Sequence, residues 1–203
     1  MKKEEKTELT KKRILAAAKK EFGENGYHGM TLNSICDAGI AKGLIYHNFE
    51  NKDGIYLACL AQCFSNLTEY LRSHRETDEP QEYMDLRLRY FQDNPYDARL
   101  FFESLLQPPA HLKDRIKEIK TDYDSLTIEL YKRLLSRITL RPDITQPQAL
   151  VYFSLMLDMF NGYFSSLVFN GMDYSDMITA HEINFVKFLD YMFYGIAERR
   201  DEK

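Results

Sequence analysis

The chain is short of cysteine, of strand signal and of catalytic motifs, and each shortage removes a class of protein. Three cysteines, Cys36, Cys59 and Cys63, stand in 203 residues. A sparse, odd set builds no disulfide framework, and its spacing matches no metal-binding pattern. Cys59 and Cys63 lie one helical turn apart on an apolar face, where thiols serve as small core residues. With no recognisable signal peptide, the expectation is a protein of the reducing cytoplasm. Alternating β-branched runs are scarce and helical periodicity is long, so the expected fold is all-α. The apolar stretch from Val151 to Phe169 approaches the length of a membrane span. Asp158, Asn161, Gly162, Ser165 and Ser166 interrupt it, which predicts a buried or interface helix and no membrane partner. No H-E-x-x-H, phosphate loop or nucleophile elbow occurs, and His181-Glu182 is followed by Ile183-Asn184-Phe185 without a second histidine. No catalytic residue, metal or cofactor is therefore expected, and a helical enzyme is a remote alternative.

What is present is unevenly charged. Residues 1–52 hold 10 Lys/Arg against 7 Asp/Glu, a net of +3, so a chain of net −4 carries −7 on the rest. A basic head on an acidic remainder fits a reader of double-stranded DNA better than a general nucleic-acid coat. Lys2, Lys3 and Lys6 form a basic cluster ahead of it, read first as a frayed, solvated terminus and second as a phosphate-touching arm.

The head contains the most informative segment, Thr31 to Lys52. It reads as two short helices around an Ala38-Gly39-Ile40 turn, with a boundary at Asn51 before a longer helix. That is the layout of a helix-turn-helix, whose second helix can enter the major groove. At roughly 100° per residue, Ala41, Ile45 and Phe49 share an arc of about 80° that can pack inward. Lys42, Gly43, Tyr46 and His47 take the opposite arc, flanked by Leu44 and Asn48. A cation, a phenol and an imidazole are donors suited to phosphate oxygens and base edges. Gly43 costs so short a helix about 1 kcal/mol relative to Ala, with close approach to another surface as its benefit. Thr31 is the expected N-cap of the helix before the turn, whose free N–H groups could face a phosphate. Asn51 is the expected cap of the longer helix, with Lys52 just inside it as a further backbone contact.

From about Thr10 to Leu60 the chain resembles the TetR family of bacterial one-component repressors. The resemblance rests on Arg13-Ile14-Leu15-Ala16-Ala17-Ala18, Phe22, Gly26-Tyr27, Thr31-Leu32, Ile35, Ala38-Gly39-Ile40 and the block Lys42-Gly43-Leu44-Ile45-Tyr46-His47-Asn48-Phe49, followed by Asn51-Lys52-Asp53. It implies DNA contacts at Thr31, Lys42, Gly43, Tyr46, His47 and Lys52, to which the outward position of Leu44 adds one more. One departure stands out: Ile35 and Ala38 are separated by two residues where the family has three. A lost residue rotates the next helix by roughly 100° unless the turn absorbs the change.

The resemblance implies a helix-turn-helix domain over 1–52 and a helical ligand-binding and dimerisation domain over 53–203, about nine helices in all. The periodicity predicts helices over roughly Glu8–Glu24, Lys52–Ser73, Glu82–Asp93, Tyr96–Leu106, Leu112–Ile138, Gln148–Phe169 and Met177–Arg199. Gly26 ends the first, whose Ile14, Ala18 and Phe22 support the head, and Tyr27 packs beneath it. The last two helices are apolar around much of their circumference. Leu150, Phe153, Leu157, Phe160, Phe164 and Val168 line one face; Ile183, Val186, Leu189, Met192, Tyr194 and Ile196 line the other helix. The expected homodimer interface is Phe153, Leu157, Phe164, Val168, Leu189 and Met192. Gly162, Ser165 and Gly195 would allow close helix approach.

Fourteen Tyr, thirteen Phe and eight Met are many for this length. Phe64, Phe101, Phe102, Gln107, Tyr123, Phe160 and Tyr163 are the candidate walls of a small-molecule effector pocket. The resulting expectation is a homodimeric transcriptional repressor released by an unknown effector. The alternative is a DNA-binding regulator without an effector, controlled by a protein partner or by its own abundance.

Overall fold

The computed structural model describes residues 3–76, 79–166 and 172–196. Among them lie ten α-helices and one short 3-10 turn: α1 (Lys3–Gly29), α2 (Leu32–Asp37), α3 (Lys42–Asn48), α4 (Lys52–His74), α5 (Pro80–Asp93), α6 (Pro95–Leu106), the turn Ala110–Leu112, α7 (Lys113–Ile119), α8 (Thr121–Leu135), α9 (Gln146–Phe164) and α10 (Tyr174–Ile196). Val168, Phe169 and Lys2 fall outside the described residues.

The helices form two compact units. The first joins Met1–Asn66 to Phe91–Thr121, and the second joins Leu67–Tyr90 to Asp122–Lys203. Both α4 and α5 contribute to each.

In the first unit the regular helix of α1 stops at Gly26, where φ is 68° and ψ 177°. Glycine adopts that backbone without strain, and the break strips Tyr27 of its helical acceptor. The Tyr27 N–H donates instead to both carboxylate oxygens of Glu103 on α6, at 2.9 and 3.0 Å. Ile14, Ala18 and Phe22 are fully buried with Tyr56, Cys59 and Leu60 of α4 and Phe102 of α6. The Phe22 and Tyr56 rings meet edge-on at 5.0 Å, and Phe64 tilts against Phe101 at 5.3 Å. Lys19 reaches Asp97, which is 1% exposed, at 2.6 Å. Burial of this carboxylate demands such a partner.

The helix expected over Leu112–Ile138 is interrupted. Lys120 leaves helical geometry at ψ 2°. The Thr121 hydroxyl then donates back to the Glu118 and Lys117 carbonyls at 2.8 and 3.2 Å. This local bond competes with helix propagation and splits the segment into α7 and α8, so the chain has ten helices among its described residues where nine were expected.

In the second unit α8, α9 and α10 enclose Leu126, Tyr131, Phe153, Phe160, Phe185, Leu189 and Met192. Tyr131 stacks on Phe153 at 3.9 Å. A capping box starts α9: Thr145 Oγ1 accepts the Gln148 N–H while Gln148 Oε1 accepts the Thr145 N–H.

Candidate functional site

The turn between α2 and α3, where the chain is one residue shorter than the family pattern, is tight. Thr31 caps α2, its Oγ1 accepting the Ser34 N–H at 3.2 Å. After one and a half turns α2 ends in tight bonds, Ala38 N–H to Ile35 carbonyl and Gly39 N–H to Cys36 carbonyl. Gly39 then takes φ 78°, a conformation that suits glycine, and redirects the chain. Ile35, Ile40 and Ile45 are all buried, so both short helices keep an inward anchor.

On α3 the inward set is smaller than expected. Ile45 is buried, Phe49 is half-buried as an extended C-cap, and Ala41 is the exposed N-cap outside the helix. The outward set stands as read: Lys42, Gly43, Leu44, Tyr46 and His47 are all exposed. Tyr46 is 52% and Leu44 44% exposed, high for such large side chains. The Lys42 ammonium lies 3.4 Å from Asn33 Oδ1 on α2. Asn33 was not singled out in the sequence, since no motif marks it. A Cβ added to Gly43 would meet nothing within 4 Å. The protein's own packing therefore gives no reason for glycine there.

Lys52 sits differently from its expected place among the contacts. Its ammonium donates to the Met30 carbonyl at 2.7 Å and lies 4.6 Å from the Tyr27 ring centroid. It thus ties the end of α1 to the start of α4, and burial pulls its pKa down. Asn51 caps α4 by accepting the Gly54 N–H at 2.9 Å. Beside it Asp53 accepts the Tyr27 hydroxyl proton and lies 3.0 Å from His111 Nε2. These bonds, Tyr27 first, hold Asp53 below the usual carboxylate range, while burial and then Asp53 push Tyr27 up to about 12.

The expected pocket residues are divided between the two units. Phe101, Phe102 and Phe64 are packed ring to ring in the first unit, and Gln107 is exposed at the end of α6. Tyr123 and Phe160 are buried in the second unit, whereas Tyr163 is 56% exposed. What the second unit does hold is a buried polar cluster. Arg87 and Glu182 pair at 2.9 Å with side chains 6% and 1% exposed. His181 Nδ1 lies 3.0 Å from the same Glu182 oxygen, and its Nε2 3.1 Å from Asn161 Oδ1. Burial lowers the His181 pKa despite Glu182. The Arg87 guanidinium lies 5.7 and 5.9 Å from the Tyr83 and Tyr123 ring centroids. A cavity of about 30 Å³ adjoins Tyr83, Thr127, Tyr131 and Phe153.

The expected dimer residues mostly face inward. Phe153, Phe164, Leu189 and Met192 are buried within one chain, and Leu157 is half-buried. The apolar face of α9 left in solvent is Val151, Leu155, Met159 and Tyr163, between 56% and 64% exposed, with Ile183 and Tyr191 of α10 at 50% and 73%. Ile183 was expected on an apolar packing face. An open groove of about 630 Å³ runs between the two helices, floored by Phe160 and Phe164.

A three-helix head with a helix-turn-helix is followed, among the described residues, by further helices joined by turns, an architecture shared with helical regulators. The family model for bacterial regulatory proteins of the tetR family matches residues 14–59, and that of the tetracyclin repressor-like C-terminal domain matches residues 77–193. The chain belongs to the TetR family. It is 34% identical over 124 residues to the HTH-type transcriptional regulator RutR of Escherichia coli O157:H7, covering 59% of this chain and 57% of that protein. It is 39% identical over 54 residues to the regulator UidR of Escherichia coli K12, covering 26% and 28%. The chain thus spans about half the length of RutR and less of UidR. A TetR-family transcriptional regulator from Pectobacterium atrosepticum superposes with TM-score 0.60 at 19% identity, covering 99% of this chain and all of that one. FadR from Bacillus subtilis, solved in complex with stearoyl-CoA, superposes with TM-score 0.59 at 18% identity, covering 87% and 97%. At these identities the two structures establish the fold.

Proposed function

We propose that this TetR-family regulator represses transcription by binding a palindromic operator as a homodimer, and that a small-molecule effector releases it. The observation that carries the reading is the outward face of α3, where Lys42, Tyr46 and His47 stand in solvent around a glycine that internal packing does not require. Thr31, Lys42, Gly43, Leu44, Tyr46 and His47 meet the duplex; Lys52 acts first by holding the head together. One α3 reads few bases, so useful specificity needs two heads at about 34–36 Å. The second copy docks on the solvent face of α9 and α10, because contiguous apolar surface of this kind marks an interaction site. In this reading residues 1–52 serve DNA binding and 53–203 serve ligand binding and dimerisation, although the compact units divide within α4 and α5 and not at residue 52.

The effector site is the Arg87–Glu182–His181 cluster with Tyr83 and Tyr123. A buried ion pair is rarely worth its desolvation as stabiliser alone, so its retention inside an aromatic core favours a binding role. The adjoining 30 Å³ is room for roughly two water molecules, so an effector enters by displacing side chains. It must bind the released state more tightly than the DNA-competent one.

Fluorescence anisotropy on DNA flanking the gene, with and without small-molecule mixtures, tests both parts. Lys42→Ala and Tyr46→Ala should abolish most specific binding without changing helicity. Specific binding by both variants at the wild-type level would overturn the reading. Specific binding that no small molecule weakens would support a regulator without an effector.

A further inference from the structure

Resting on that reading of α3, we infer that Leu44 is a specificity-determining residue that reads the C5-methyl group of a thymine in each operator half-site. The argument begins with Gly43. Taking the buried Ile45 as the inward direction, Gly43 lies roughly 160° away at 100° per residue, near the outermost line of α3. A Cβ there would touch nothing in the protein, yet glycine costs a helix about 1 kcal/mol against alanine. A missing side chain at the outermost point lets the backbone sink toward the floor of the groove.

The flanks then come into reach. Leu44 lies on one flank and Tyr46 on the other, each roughly 100° from Ile45. Tyr46 presents a hydroxyl, while Leu44 presents only methyl groups. Leu44 is 44% exposed and borders a small crevice with Thr10, Arg13, Gly39 and Ile40. Arg13 is exposed beside it, and Lys42 is held by Asn33 two residues before it. Leucine among phosphate-seeking cations has no polar group to offer DNA. The base-edge feature of the major groove that rewards an apolar side chain is the thymine methyl.

The test uses the full-length chain. An operator is first selected from a random duplex library, and each thymine is then replaced in turn by deoxyuridine, which deletes that methyl alone. At one thymine per half-site the wild type should lose about four-fold in affinity, the worth of one buried methyl. Leu44→Ala should bind the parent operator more weakly and lose less than two-fold at that same position. Leu44→Met, which keeps an apolar tip, should retain most of the penalty. If Leu44 only packs against Arg13 and Ile40, Leu44→Ala weakens every duplex equally and each deoxyuridine penalty survives unchanged, which overturns the inference. A wild type indifferent to every thymine methyl overturns it too, while sequence-selective binding leaves the regulator reading intact. A chain that selects no sequence removes both together.

Discussion

Lys52 is engaged by the protein itself, which bears on whether it is also free to serve a duplex. Its ammonium satisfies the Met30 carbonyl at 2.7 Å and lies over Tyr27, so its removal exposes a half-buried acceptor. Lys52→Met should lower stability by about 1 kcal/mol, the worth of one such bond. In contrast to Lys42→Ala, it should leave the salt dependence of DNA binding unchanged, as a titration of affinity against salt would reveal. A slope reduced by about one unit would instead assign Lys52 a phosphate. Its neighbour Asp53 gives a pH signature. Tyr27 and then His111 hold its folded pKa below the unfolded value, so the stability it contributes is present above about pH 4 and vanishes as pH falls through the folded value. Asp53→Asn should therefore melt lower at pH 7, by about 1 kcal/mol in stability, and the gap should close in acid. A gap that stays constant between pH 7 and pH 3 would refute the assignment. At this scale the sequence was legible where a residue's role is local. Thr31 and Asn51 cap as read, because capping needs only residues three positions on. Lys52 was not, because its partners, Met30 and Tyr27, are more than 20 positions away and carry no charge that would advertise the pairing.

Elements show the same division between local and distant causes. Gly26 ends the regular helix of α1 where the sequence places it, Pro95 opens α6, and the buried stripe of α4 (Tyr56, Leu60, Phe64, Leu67) follows a helical period. The break at Lys120 escaped, because a threonine hydroxyl turning back on its own helix has no apolar signature. The two faces of α9 escaped for another reason. A helix apolar all round must satisfy two partners, and periodicity does not say which stripe meets which. Phe153, Phe160 and Phe164 went inward, where rings fill more volume, and Val151, Leu155 and Met159 went out. Packing between α1 and α6 offers a sharper test of element geometry. A Cβ at Gly23 would stand 2.4 Å from Tyr96 Cδ1 and 2.8 Å from its Cβ, near the base of the side chain where little can yield. Gly23→Ala should destabilise by about 1–2 kcal/mol, overpacking outweighing the gain in helix propensity. Chemical denaturation would measure it, and an unchanged or raised midpoint would show that α1 and α6 slide apart freely.

For the molecule as a whole, the question is what covers α9 and α10. Val151, Leu155, Met159 and Tyr163 recur every four residues on one solvent face, and Ile183 and Tyr191 stand in solvent on α10. Such a face on a lone chain would be an aggregation liability, whereas a second copy related by a two-fold axis meets it with the same residues. The buried Phe153 and Phe164 brace that face from within the chain. Leu155→Glu combined with Met159→Lys places charge where it costs the single chain little, since both sites are more than half exposed. Sedimentation should fall from twice 24.0 kDa to 24.0 kDa, with helicity and the chain's own core unaltered. Operator affinity should fall by about 100-fold or more, because each head then binds without the effective concentration supplied by its twin. Retention of the doubled mass would place the interface elsewhere on the chain. Loss of the doubled mass with operator affinity unaltered would show that one head suffices, and a palindromic operator would lose its rationale.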